Sequence, residues 1–139
     1  MEITAKHVEN RTFVTKGDSN HWIPIDTKEA AGGGNAASSP MELVLMGLVT
    51  CSGLDVVVIL EKRRVQLDDF EIKASAERAE KHPRVYTKIH LKYIFTSPDL
   101  KEKDAEKAIH LSHDKYCSVS AMLDKTAEIT SEIEIKRPE

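Results

Sequence analysis

An α+β fold is predicted for this 139-residue chain by three observations. Short β-patterned runs stand at both ends, one long apolar helix lies between them, and an amphipathic helix precedes the last run. The length fits a single domain over 1–139, enough for a real core and too short for two. Hydrophobic residues at 40% and charged residues at 31% describe a folded globular chain rather than a disordered one. The 20 basic and 23 acidic residues are well mixed, and aromatics make up 5%. With no basic stripe and few stacking platforms, a nucleic-acid partner is not expected.

The elements follow in order. Met1–Val8, Thr12–Lys16 and His21–Asp26 read as three short strands, with Gly17-Asp18-Ser19-Asn20 as a hairpin turn. "EAAGGGNAASSP", residues 29–40, is a small-residue loop, too flexible to be structural by itself and without the lysine of a phosphate loop. Ser38-Ser39-Pro40 starts a helix, with a hydroxyl N-cap and then proline at the first helical position. That helix is expected to run from Pro40 to Arg63 or Arg64, with Glu42 in its first turn and the basic "EKRR" in its last. Asp68–Ala79 and Arg84–Thr96 read as longer strands, the second alternating through Ile89, Leu91, Tyr93 and Phe95. Ser97-Pro98-Asp99 is expected to cap a second helix reaching Tyr116. A short helical piece at 118–123 and a strand over Ala127–Ile135 complete the chain.

Residues 43–60, "LVLMGLVTCSGLDVVVIL", approach the ~20 apolar residues that a bilayer span needs. Asp55 would cost about 3 kcal/mol near a bilayer centre, and a lone span would strand the β-runs on both sides, so a buried helix is expected and no membrane. Because its apolar residues cover the whole circumference, it must be enclosed on all sides. About six strands from one small chain cannot do that, which predicts a homodimer with this helix near the interface. Two cysteines are too few for a disulfide scaffold, and "MEITAKHVEN" carries no export signal pattern, so a reducing, cytoplasmic compartment is expected.

Cys51 sits mid-helix and Cys117 follows the second helix. On spacing alone either can be a small buried hydrophobe or a redox thiol. Asp55, four residues beyond Cys51 and on the same face, would raise the thiol's pKa unless a cation offset it. His110, His113 and Cys117, at i, i+3 and i+7, could bind zinc if Cys51 came alongside; exposed or helix-capping histidines are the other reading, and no metal or cofactor is assigned. Trp22 reads as core or interface packing.

"SPMELVLMGLVTCSGLDVVVIL" followed later by "KYCSVSAML" resembles the OsmC/Ohr family, osmotically inducible protein C and organic hydroperoxide resistance protein. "SNHWIPID" ahead of the glycine-rich loop is similar to an OsmC-like branch of it. The resemblance covers essentially the whole chain. It implies two β-sheets around a long buried central helix, in an intertwined homodimer. It also implies a thiol-dependent peroxidase for organic hydroperoxides. Cys51 falls on the peroxidatic position and Cys117 on the resolving one, with an external dithiol as reductant. The alternative is a member that keeps the fold but binds a small molecule or thiol metabolite with little or no peroxidase activity. Met41 stands where characterised peroxidases carry a glutamate, Glu42 being one residue on, and the N-terminal loop lacks their arginine. Glu42, His21 and Asp55 are the candidate supporting residues.

Overall fold

The computed structural model describes residues 1–139 throughout. Two compact units divide the chain, Met1–Met46 and Gly47–Glu139, and the long helix begins in the first and continues through the second.

In the first unit, β1 (Thr4–Glu9), β2 (Thr12–Lys16) and β3 (Ile23–Ile25) form an antiparallel sheet in sequence order. The turn after β2 closes with the Asn20 N–H donating to the Gly17 carbonyl, and Asn20 takes a left-handed φ of 62°, which asparagine tolerates. Trp22 is not in this chain's core: it is 51% exposed, with Lys16 Nζ 4.9 Å from its ring centre.

The loop at 29–40 departs from its expected flexibility. Asp26, 1% exposed, accepts the backbone N–H groups of Thr27, Gly34 and Ala36. Those donors, Ala36 foremost, hold its carboxyl below the usual range. A side chain at Gly33 would strike the Thr27 carbonyl, so only glycine fits there. One buried carboxylate organises what composition alone reads as slack.

The helix α1 runs Pro40–Lys62. Ser39 and Glu42 cap each other's backbone N–H in a capping box. At the far end Arg64 turns left-handed at φ 58°, the Val65 N–H reaches the Leu60 carbonyl, and the Arg64 N–H reaches that of Glu61. This is a Schellman stop, closed without glycine. The helix is long and apolar enough to cross a bilayer. Within one chain it is not enclosed. Only the stripe Leu48, Ser52, Val56 and Leu60 is buried, whereas Leu54 is 69% and Val58 45% exposed.

In the second unit, β4 (Asp69–Arg78) and β5 (Tyr86–Thr96) form an antiparallel hairpin, and β6 (Glu128–Lys136) lies parallel to β5 on its other side. Ile89, Leu91, Tyr93 and Phe95 of the central strand are buried, as the alternation requires. Phe70 stacks on Phe95 and Tyr93 with centroids 4.6 and 6.4 Å apart. Between β5 and β6 come α2 (Glu102–Leu111), a π-turn over Ser112–Tyr116, and α3 (Ser118–Leu123). Helix α2 begins later than expected, because Ser97 Oγ accepts the N–H groups of Asp99 and Leu100 and caps a turn ahead of the helix. Arg63, in the basic stretch that closes α1, pairs with Asp104 of α2 at 2.7 Å.

Candidate functional site

Cys51 comes from the middle of α1, and Asp55 follows one helical turn later on the same face. Cys117 arrives from the other side of the unit by way of the π-turn. There the Cys117 N–H reaches back five residues to the Ser112 carbonyl, at 2.7 Å. The extra residue in that turn ends the helical repeat on which a His110–His113–Cys117 face would depend. His110 pairs outward with Asp114 at 2.7 Å, whereas His113 turns inward to Tyr93 and Ser120. The three do not converge as a zinc site.

What does converge is Cys51, Asp55 and Cys117. Their two sulfurs and a carboxylate oxygen lie within 4.8 Å of one another, and both thiols are free. The same three donors could hold a metal ion, one ligand short of the four that close a structural zinc site.

The sulfurs differ in setting. Cys117 is 2% exposed and N-caps α3, its Sγ accepting the Ser120 N–H at 3.3 Å. Burial pushes its thiol up to about 11; the Ser120 N–H pulls the other way and the neighbouring Cys51 adds to the rise. No lysine or arginine is among the groups acting on it. Cys117 is therefore a protonated thiol at neutral pH. Cys51 is only partly buried.

Behind Asp55 lies a polar cluster that the sequence did not announce. Ser112 Oγ stands 2.9 Å from Asp55 Oδ2 and 3.1 Å from Ser52 Oγ. Ser52 is 2.7 Å from the Tyr93 hydroxyl, which is 3.2 Å from His113 Nε2. Burial, foremost, lifts the Tyr93 phenol to about 12, and burial also lowers His113, leaving a neutral imidazole near neutral pH. The one available signal was serine at position 52, inside the i, i+4 stripe of an apolar helix.

Glu42 and His21 belong to the Met1–Met46 unit. The Glu42 carboxylate caps its own helix, and the Ser39 N–H holds its pKa below the usual range. His21 is exposed ahead of β3. A mainly apolar recess of about 440 Å³ borders Asp55 in the second unit, walled by Leu54, Val58, Ile59, Leu111 and Tyr116, with Lys62 and Arg63 also in its lining.

A long apolar helix with a three-stranded sheet on each side of it in the chain has counterparts in known proteins. The OsmC-like protein family matches residues 32–132, and the chain belongs to that family. It is 43% identical over 135 residues to Protein YhfA of Escherichia coli K12, covering 97% of this chain and 98% of that one. A hypothetical protein from Aquifex aeolicus VF5 superposes with a TM-score of 0.87 at 34% identity, over 99% of this chain and 97% of its own. The organic hydroperoxide resistance protein OhrB of Bacillus subtilis shares the fold, with a TM-score of 0.65 at 18% identity over 96% of each chain.

Proposed function

We propose that this protein is a thiol-dependent peroxidase that reduces organic hydroperoxides, with Cys51 as peroxidatic and Cys117 as resolving cysteine. One observation carries the reading. Two free sulfurs, far apart in the chain, lie within 4.8 Å of each other, a separation that side-chain rotation can close to a bond of about 2.05 Å. The Cys51 thiolate attacks the distal peroxide oxygen, the O–O bond breaks, an alcohol leaves and Cys51 becomes a sulfenic acid. Cys117, kept as a thiol by burial, condenses with it to a disulfide and water. An external dithiol then reduces the bridge by exchange. The apolar recess beside Asp55 supports an organic rather than an inorganic peroxide. Asp55 is assigned a supporting role beside the sulfurs, Glu42 that of capping α1, and His21 is assigned none.

The exposed side of α1 supports a homodimer of single-domain chains in which a second copy packs along Leu54 and Val58 and completes the wall of that recess. Two unbridged thiols suit a reducing, cytoplasmic compartment. Reduced protein mixed with cumene hydroperoxide tests the activity, the product being weighed by mass spectrometry. A rapid, stoichiometric loss of two hydrogens, absent in Cys51→Ser and Cys117→Ser, is expected. Both thiols surviving intact would overturn the peroxidase and leave a small-molecule binding protein.

A further inference from the structure

A second route, made entirely of polar groups, joins the surroundings of the two sulfurs through the interior of the Gly47–Glu139 unit. It runs from Asp55 through Ser112, Ser52 and Tyr93 to His113, then through Ser120 to Cys117. Ser52, Ser112 and Tyr93 are fully buried. Packing alone does not ask for them: phenylalanine at 93 would keep the stack on Phe70, and alanine would fit at 52 and 112. Each buried hydroxyl must hold its hydrogen bonds or destabilise the fold, so a row of them is a liability without a use.

The donors show what the row can do. Ser112 has one hydroxyl proton and two acceptors in reach, Asp55 at 2.9 Å and Ser52 at 3.1 Å. When it donates to the Asp55 carboxylate, Ser52 donates to Ser112, Tyr93 to Ser52, and the His113 Nε2–H to Tyr93. When Asp55 is protonated, every bond reverses and Tyr93 donates to a bare Nε2. Switching between the two arrangements carries the His113 Nε2 proton to Asp55, and His113 stays neutral because its Nδ1 takes one up from the recess by way of the Ser120 hydroxyl, 2.9 Å away. His113 is the half-buried member and opens on a recess of about 360 Å³. The titratable groups facing it there are Glu106 and His110 from α2, Asp114 beside it and Asp124 after α3.

We propose that His113 is the proton port of the cysteine site, linked through Tyr93, Ser52 and Ser112 to Asp55 and so to the state of Cys51 and Cys117. This rests on the redox reading of the cysteine pair. Cys51–SH and ROOH give Cys51–SOH and ROH; Cys51–SOH and Cys117–SH give the disulfide and water. Asp55 takes the proton that Cys51 releases and returns one to the departing alkoxide, and His113 makes good any imbalance from solvent. Tyr93, Ser52, Ser112 and His113 are positioning and relay residues, since none touches the peroxide.

The test follows the His113 imidazole by NMR titration in reduced protein and in protein oxidised with diamide, which takes up the two electrons and two protons without any peroxide. A difference of about half a pH unit or more between the two forms is expected, with the exposed His21 of the other unit as the internal control. Tyr93→Phe, which keeps the ring stack, and Ser112→Ala, which breaks another link, should each abolish it. An equal midpoint in both forms, or a difference that survives both substitutions, would overturn the proposal. Should diamide form no disulfide, the redox reading fails separately. Asp55→Asn then replaces oxidation, expected to move His113 in the native background but not beside Tyr93→Phe. Coupling without cumene hydroperoxide turnover would sink the peroxidase and leave the port.

Discussion

Alkylation of Cys117 is the sharpest measure of how burial divides labour between the two thiols. Its thiol is lifted from 9.0 to about 11. That rise leaves about a hundredfold less thiolate at pH 8. A thiolate of higher pKa is also the stronger nucleophile. With a Brønsted slope of about 0.4–0.5, roughly tenfold of the loss is recovered. Ionisation alone thus makes Cys117 about tenfold slower than an ordinary thiol, and its 2% exposure slows it further. Reduced protein treated with iodoacetamide from pH 7 to 11, then mapped peptide by peptide, gives both rates; urea-unfolded protein supplies the reference. Cys51 should be modified first throughout, and Cys117 should rise only near pH 11. Because Cys51 is among the groups raising Cys117, Cys51→Ser should bring that rise to lower pH. A native Cys117 alkylated at pH 8 as fast as in urea would refute the argument from burial.

Three further outcomes are expected. Cys117 and Tyr93 both have folded pKa values, about 11 and about 12, above their ordinary 9.0 and 10.0. Their contribution to stability is therefore complete below pH 9 and lost as pH rises from 9 to 12, seen as a falling urea midpoint that Tyr93→Phe makes shallower. Ser39→Ala removes the hydroxyl half of the capping box and should cost about 1 kcal/mol in denaturant unfolding; no change would mean the box contributes nothing. Gly47→Ala places a Cβ where nothing lies within 4 Å and should stabilise by up to about 1 kcal/mol through helix propensity, so a loss of stability would place another surface there.

The sequence made some parts of this molecule plain for physical reasons. The period-2 pattern through Ile89, Leu91, Tyr93 and Phe95 could only be a strand with one dry face, and Ser39-Pro40 with Glu42 could only open a helix. Apolar content around the whole of α1, by contrast, overstated its burial, because one chain supplies cover for only the Leu48–Leu60 stripe. Asp26 went unread as the organiser of its loop, since a carboxylate whose partners are backbone N–H groups leaves no side-chain pattern. The meeting of Cys51 with Cys117 followed from a family resemblance, not from spacing. Ser52, Ser112 and Tyr93 were invisible together, because their shared bonds depend on a crossover and on an irregular turn that no periodicity encodes.

That irregular turn makes length matter more than composition between Leu111 and Cys117. Asp114, Lys115 and Tyr116 are exposed, so exchanging their side chains leaves the backbone path intact. Deleting Lys115 restores the ordinary four-residue closure and swings what precedes it by about 100°. Ser112 and His113 would then lose their aim at Asp55 and Tyr93. A shortened variant keeping every named group should fold, yet lose the connection to its own surface.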